Sequence, residues 1–145
     1  MSQTILQSSA PMPAGTALSM ARTLRLALFS SAVWFGAALF IRYAGPHGVF
    51  EGWRGAATYL ITIPATVPLN RRALKIAGLK MPAMPAVIAV TTAVATIEDG
   101  VAMRLLPGLY GGDPAVIQAG AIWLLWAIGV AAALSVLLPA KRQHQ

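Results

Sequence analysis

Glu98 and Asp99 stand side by side in VTTAVATIEDGVAMRLLPG, a stretch that otherwise reads as a membrane-spanning helix. Two carboxyl groups carried into a bilayer could respond to protons or coordinate a cation, and ionisable groups at that depth are candidates for function. Adjacent residues on a helix point about 100° apart, so the two acids cannot share one contact. Asp99 lies on a stripe with Thr92 and Thr96, a polar face that would point into a bundle, while Glu98 lies nearer Thr91 and Ala95. A second polar stripe, Thr58, Thr62, Thr66 and Asn70, runs at four-residue intervals through a segment that also holds Pro64 and Pro68. Proline frees a backbone carbonyl, and a threonine hydroxyl can satisfy it or bond a neighbouring helix. The sharper reading is a kinked, polar-lined path converging on Asp99. The plainer one, which we prefer, is interhelical bonding in a short, bent helix.

Whether the acids enter the membrane depends on where their helix stops. Residues 83–97 alone would span about 22 Å at 1.5 Å per residue, against a hydrocarbon core of about 30 Å. Extending the segment backward brings in Lys80 and Lys75, so it is expected to run forward to about Leu105, with the acids near its outer third. Arg104 follows Asp99 by five positions and faces elsewhere, which makes Arg42 the expected partner. The preferred account is an Arg42–carboxylate pair holding two helices in register; the alternative is a proton-responsive or cation-coordinating site. Together the candidate intramembrane polar site comprises Glu98, Asp99, Arg42, Thr92, Thr96, Thr62 and Thr66.

Other chemistry is sparse. There are no cysteines, which excludes disulfides, thiolate metal sites and cysteine nucleophiles. His47 and His144, the two histidines, are expected on opposite sides of the membrane and so unable to share a metal or a haem. No nucleophile–base arrangement or phosphate loop is visible. We therefore expect no catalytic, cofactor-binding or metal residues and rank an enzyme lowest. Trp123, Trp126 and Trp34 read as packing residues, as do the small surfaces of Ala119, Gly120, Gly129 and Ala133.

The elements that must position these residues follow from composition. Hydrophobic residues make up 57% of the 145 and charged ones only 10%, with a mean hydropathy of +0.68. So short a soluble chain could not bury that much apolar surface. The net charge of +7 does not form the clustered basic face that nucleic acid requires; the basic residues flank apolar segments. Four spans are expected, at roughly 24–44, 55–70, 83–105 and 115–138, from the need for about 20 apolar residues per crossing. Residues 1–20 read as a flexible tail, 21–139 as one all-α transmembrane domain and 140–145 as a basic tail. The Arg22 and Arg25 run before an apolar stretch lacks a convincing cleavage site, so an uncleaved first span is expected. Eight of the eleven basic residues (Arg22, Arg25, Arg71, Arg72, Lys75, Lys80, Lys141 and Arg142) then fall on one side, against Arg42, Arg54 and Arg104 on the other. By the positive-inside rule both termini are cytoplasmic.

LFIRYAG at the end of the first span and IWLLWAIG in the fourth, with Phe40, Arg42, Gly45, Trp126 and Gly129, resemble an uncharacterised family of small bacterial four-helix membrane proteins. The resemblance implies the architecture and no activity. ATIEDG departs from it, with two acids where one is expected. Small multidrug transporters also have four spans, but their membrane-embedded Glu lies in the first helix, where this chain has no acid. The expectation is thus a multi-pass protein of a bacterial inner (plasma) membrane, with the lipid bilayer as its medium and no cofactor. Its small-residue faces fit a homo-oligomer or a membrane-protein partner. A structural or accessory role is preferred, with a small oligomeric transporter or channel using the acidic pair as the alternative.

Overall fold

The computed structural model describes residues 18–138. Most of the first tail and all of the last, with Pro139, Lys141, Arg142 and His144, lie outside the described residues. Four α-helices follow one another: α1 Met20–Ala44, α2 Gly52–Ala77, α3 Met84–Leu105 and α4 Pro114–Leu137. Short 3-10 turns at Gly45–His47, Met81–Ala83 and Pro107–Tyr110 join them. Helix starts are set by local chemistry. The Ser19 side chain accepts from the Arg22 N–H at the head of α1, and Asp113 accepts from the Ala115 N–H at 2.8 Å, with Pro114 beginning α4. α2 ends at Gly78, whose φ of 63° turns the chain left-handed while its N–H bonds the Leu74 and Lys75 carbonyls.

The second helix is longer than the expected 55–70 segment. Asn70–Ala77, expected to belong to a basic connection, NRRALKIAGLKMP, is helical because Ala73, Leu74 and Ala77 continue the buried stripe while Arg71, Arg72 and Lys75 project outward. Nor do Pro64 and Pro68 end it. The carbonyls these prolines release, those of Leu60 and Pro64, are not where the threonines donate. Thr62 bonds the Thr58 carbonyl at 2.8 Å and Thr66 the Thr62 carbonyl at 2.7 Å.

Short turns make successive helices antiparallel, so α1 runs parallel to α3 and α2 parallel to α4, and these two pairs make the closest packing. Two separate cores result. At the end where α1 starts and α4 finishes, Leu26, Leu74, Met84, Val87 and Ile88 close together. At the far end Ala38, Ile41, Ala102 and Tyr110 do so, with Trp123 and Val116 against them. Gly120 lets α4 approach α1: a Cβ there would lie 2.7 Å from Ile41 Cγ2. Gly129, expected to serve the same purpose, has nothing within 4 Å.

Polarity is inverted relative to a water-soluble bundle. Ser30, Thr62, Thr66, Asn70, Asp99 and Ser135 are buried, while Leu28, Leu60, Ile61, Val101, Leu125 and Val136 are exposed. Met20–His47, Met81–Leu105 and Pro114–Leu137 are long and apolar enough to cross a membrane. α2 falls short of that mark because its inward face is polar and its last turns are basic.

Candidate functional site

Between the two packed ends the helices stand apart around a cavity of about 390 Å³. That is within the range of small-ligand sites, roughly 300–1,000 Å³. Each helix supplies wall. α1 contributes Ser30 and Trp34, α2 its Thr62–Thr66–Asn70 stripe, α3 Thr91, Thr92 and Asp99, and α4 Trp123 and Leu124. The α2 stripe points inward because its residues are four apart and the opposite face is apolar. Its polar atoms are largely committed. Asn70 Nδ2 donates to the Ala131 carbonyl at 3.1 Å, and Trp123 Nε1 donates to Thr62 Oγ1 at 2.9 Å. Across the cavity Ser30 Oγ donates to the Thr91 carbonyl at 2.6 Å.

The acids take separate roles. α3 runs unbroken through both. Asp99 lies at the far end of the cavity, where Oδ1 accepts from Trp34 Nε1 at 2.9 Å and from the Tyr110 hydroxyl at 2.6 Å. Trp34 Nε1 also reaches the Tyr110 oxygen, at 3.1 Å, closing a three-membered network. Tyr110 is fully buried. Burial first, and then its bond to Asp99, push its phenol above the ordinary range, so it remains a donor at neutral pH. Both of these bonds to Asp99 fall on Oδ1. Asp99 is the only titratable side chain lining the cavity among the described residues. Glu98 turns to another part of α1, where Ser31 Oγ donates to its Oε1 at 2.5 Å; its Oε2 is buried without a hydrogen-bond partner.

Arg42 does not pair with either acid. It is exposed at the end of α1, donates to the Gly108 carbonyl and lies over the Tyr43 ring. The physical reason is reach and competition: the far-end core of Ile41, Ala102 and Tyr110 fills the space beside Asp99, and neutral donors already occupy its inner oxygen. Thr96 also differs from expectation. It is exposed and bonds only the Thr92 carbonyl, at 2.7 Å, so the polar stripe of α3 reaches the cavity through Thr92 and Asp99. Of the candidate residues, then, Asp99, Thr92, Thr62 and Thr66 come together, and Glu98, Arg42 and Thr96 do not.

Trp34, Tyr110 and Ser31 hold the acids and were not picked out by sequence reasoning as their partners. A signal was present for Trp34: it stands near the middle of an apolar helix, where a buried indole N–H needs an acceptor. Tyr110 lay in PGLYGGDP, a turn by composition, and nothing local marks it as turned back into the bundle. No family model, curated protein or solved structure matches the chain.

Proposed function

We propose that this chain is a four-span protein of a bacterial inner membrane, with both termini in the cytoplasm, and that its bundle binds and carries a small solute through the Asp99 cavity. The observation that carries the reading is that cavity: a space of about 390 Å³ shared by all four helices, closed at both ends by packed side chains, with one carboxyl group on its wall. The Arg42–carboxylate pair that would make the acids structural is not formed, Arg42 bonding the Gly108 carbonyl instead. A purely structural bundle has no need of such a void, since each unfilled volume forfeits packing energy.

α2 supports the fourth crossing. Its 26 residues reach about 39 Å at 1.5 Å per residue, and its inward threonines and outward Leu60, Ile61 and Leu69 suit lipid rather than water. Orientation rests on the basic residues, with Arg71, Arg72, Lys75 and Lys80 at the end where α1 begins and α4 finishes. Fluorescent-protein fusions at either terminus should both report from the cytoplasm, and periplasmic alkaline phosphatase should be inactive at both. Reports from opposite sides would remove one crossing and this topology with it. The exposed Gly129 and Ala133 on α4 offer a surface for a second copy.

The transport reading is tested by reconstituting the full chain in liposomes and screening amines, organic acids and neutral solutes for uptake above empty vesicles. Uptake that is lost in Asp99→Asn is the expected result. A stoichiometric protein partner recovered after gentle extraction, with no uptake of any solute, would instead restore the accessory role.

A further inference from the structure

We infer that the solute is a lipophilic cation, an amine or quaternary ammonium on an apolar body, and that it reaches the cavity sideways from the bilayer between α1 and α2. This rests on the cavity being a solute site, as proposed above, and names the chemistry it selects.

Charge comes first. The walls are mostly alkyl and aromatic, no Lys, Arg or His lines them among the described residues, and Asp99 is the single titratable side chain there. A carboxylate in an apolar enclosure is poorly solvated, and an entering cation relieves that penalty while its apolar body replaces empty wall contacts. Trp34, Phe40 and Trp123 add aromatic surfaces of the kind that attract ammonium groups. Phe40 and Trp123 are held together with Phe50, at ring-centroid separations of 5.2 to 5.9 Å, so these surfaces are positioned before any ligand arrives. An anion would meet Asp99 with nothing to offset it.

The route follows from exposure. The cavity-lining residues that are exposed all belong to two helices: Val33, Gly36 and Phe40 on α1, and Ala65 and Leu69 on α2. The α3 and α4 walls are buried or half-buried. The mouth therefore lies on the side of the bundle, midway along its helices, where a membrane protein faces hydrocarbon. Gly36 stands in that mouth, with open space where a Cβ would be. A molecule passing there must dissolve in the bilayer, which an apolar cation does and a hydrophilic one does not.

Two probes of the same shape separate the possibilities: benzyltrimethylammonium, and its uncharged isostere neopentylbenzene. Full-length protein in nanodiscs is titrated with each, reading tryptophan emission against empty nanodiscs. The cation should give a saturable change, and Asp99→Asn should weaken its apparent affinity about tenfold or more, the loss of roughly 1.4 kcal/mol of charge recognition. Asn retains an oxygen for Trp34 and Tyr110, and unchanged helicity and melting temperature would show the variant folded. Gly36→Phe, projecting into the mouth, should slow association of the cation in stopped flow without lowering the melting temperature. Equal cation affinity in wild type and Asp99→Asn, or preference for the neutral isostere in both, overturns the cation assignment and leaves the cavity a site for neutral solutes. An unchanged association rate in Gly36→Phe overturns the sideways route. No saturable response to either probe overturns the inference together with the solute-site reading beneath it.

Discussion

Gly120→Leu is expected to deprive the protein of most of its folded fraction, whereas Gly129→Leu on the same helix should leave stability unchanged. The difference is geometric. A Cβ at position 120 would fall 2.7 Å from Ile41 Cγ2 and 2.8 Å from its Cδ1. Ile41 is fully buried in the far-end core and has no room to withdraw. Overpacking a fitted core costs about 1–3 kcal/mol, and four added carbons in place of a contact that excludes even one put this change at the upper end or beyond. In a bilayer the cost is not offset by hydrophobic association, because lipid solvates separated helices as well as each other; close contact is itself what holds them. Gly129 has no neighbour within 4 Å of a built Cβ, and an isolated surface change falls within about 0.5 kcal/mol. Melting temperature and monodisperse yield in one detergent, for both variants, check this. Equal loss in the two would show that α4 tolerates no side chain on either face, and a changed oligomeric size in Gly129→Leu alone would place a second copy there.

That contrast also shows how far the chain could be read in advance. Gly120 and Gly129 are indistinguishable as letters: both sit in an apolar helix at plausible packing positions, and only the rotation of α4 about its axis separates them. The helix pattern is legible because lipid imposes a length and a composition and because Pro114 marks the start of α4, whereas the caps at Ser19 and Gly78 emerge only in the structure. The expected α2 is too short because a run of charge suggests the end of a helix. Arg71, Arg72 and Lys75 are compatible with helix continuation so long as Ala73, Leu74 and Ala77 keep the buried stripe. The inward face of Thr62, Thr66 and Asn70 was visible from spacing alone. The partner of Asp99 was not. Charge complementarity points to Arg42, but a buried carboxyl is also satisfied by neutral donors, and which donors reach it depends on a turn folding Tyr110 back beneath α3. That is tertiary information. Periodicity does not carry it.

Three substitutions at the cavity's far end should separate the charge of Asp99 from its hydrogen bonding. Asp99→Leu removes the acceptor shared by Trp34 Nε1 and the Tyr110 hydroxyl. The buried Tyr110 hydroxyl is then left without an acceptor, at about 1–3 kcal/mol, while Trp34 keeps only its bond to the Tyr110 oxygen, and the melting temperature should fall more than in any other change at this site. Tyr110→Phe removes the donation to Asp99 and the oxygen that also accepts from Trp34, but leaves Trp34 its bond to Asp99, so the loss should be about 1–2 kcal/mol, near 1 kcal/mol for each hydrogen bond. Asp99→Asn keeps an oxygen in the same position and should cost less than either, yet it should abolish solute uptake, since the one carboxyl group on the cavity wall is replaced by a neutral amide. The ranking in stability and the ranking in transport therefore differ, and that divergence is the diagnostic. If Asp99→Asn transported as well as the wild type, the carboxyl would be acting only as an acceptor that anchors Trp34 and Tyr110, and the cavity would owe its selectivity to shape. If instead uptake fell in step with melting temperature across all three, the network would govern transport only by holding the far end of the bundle closed.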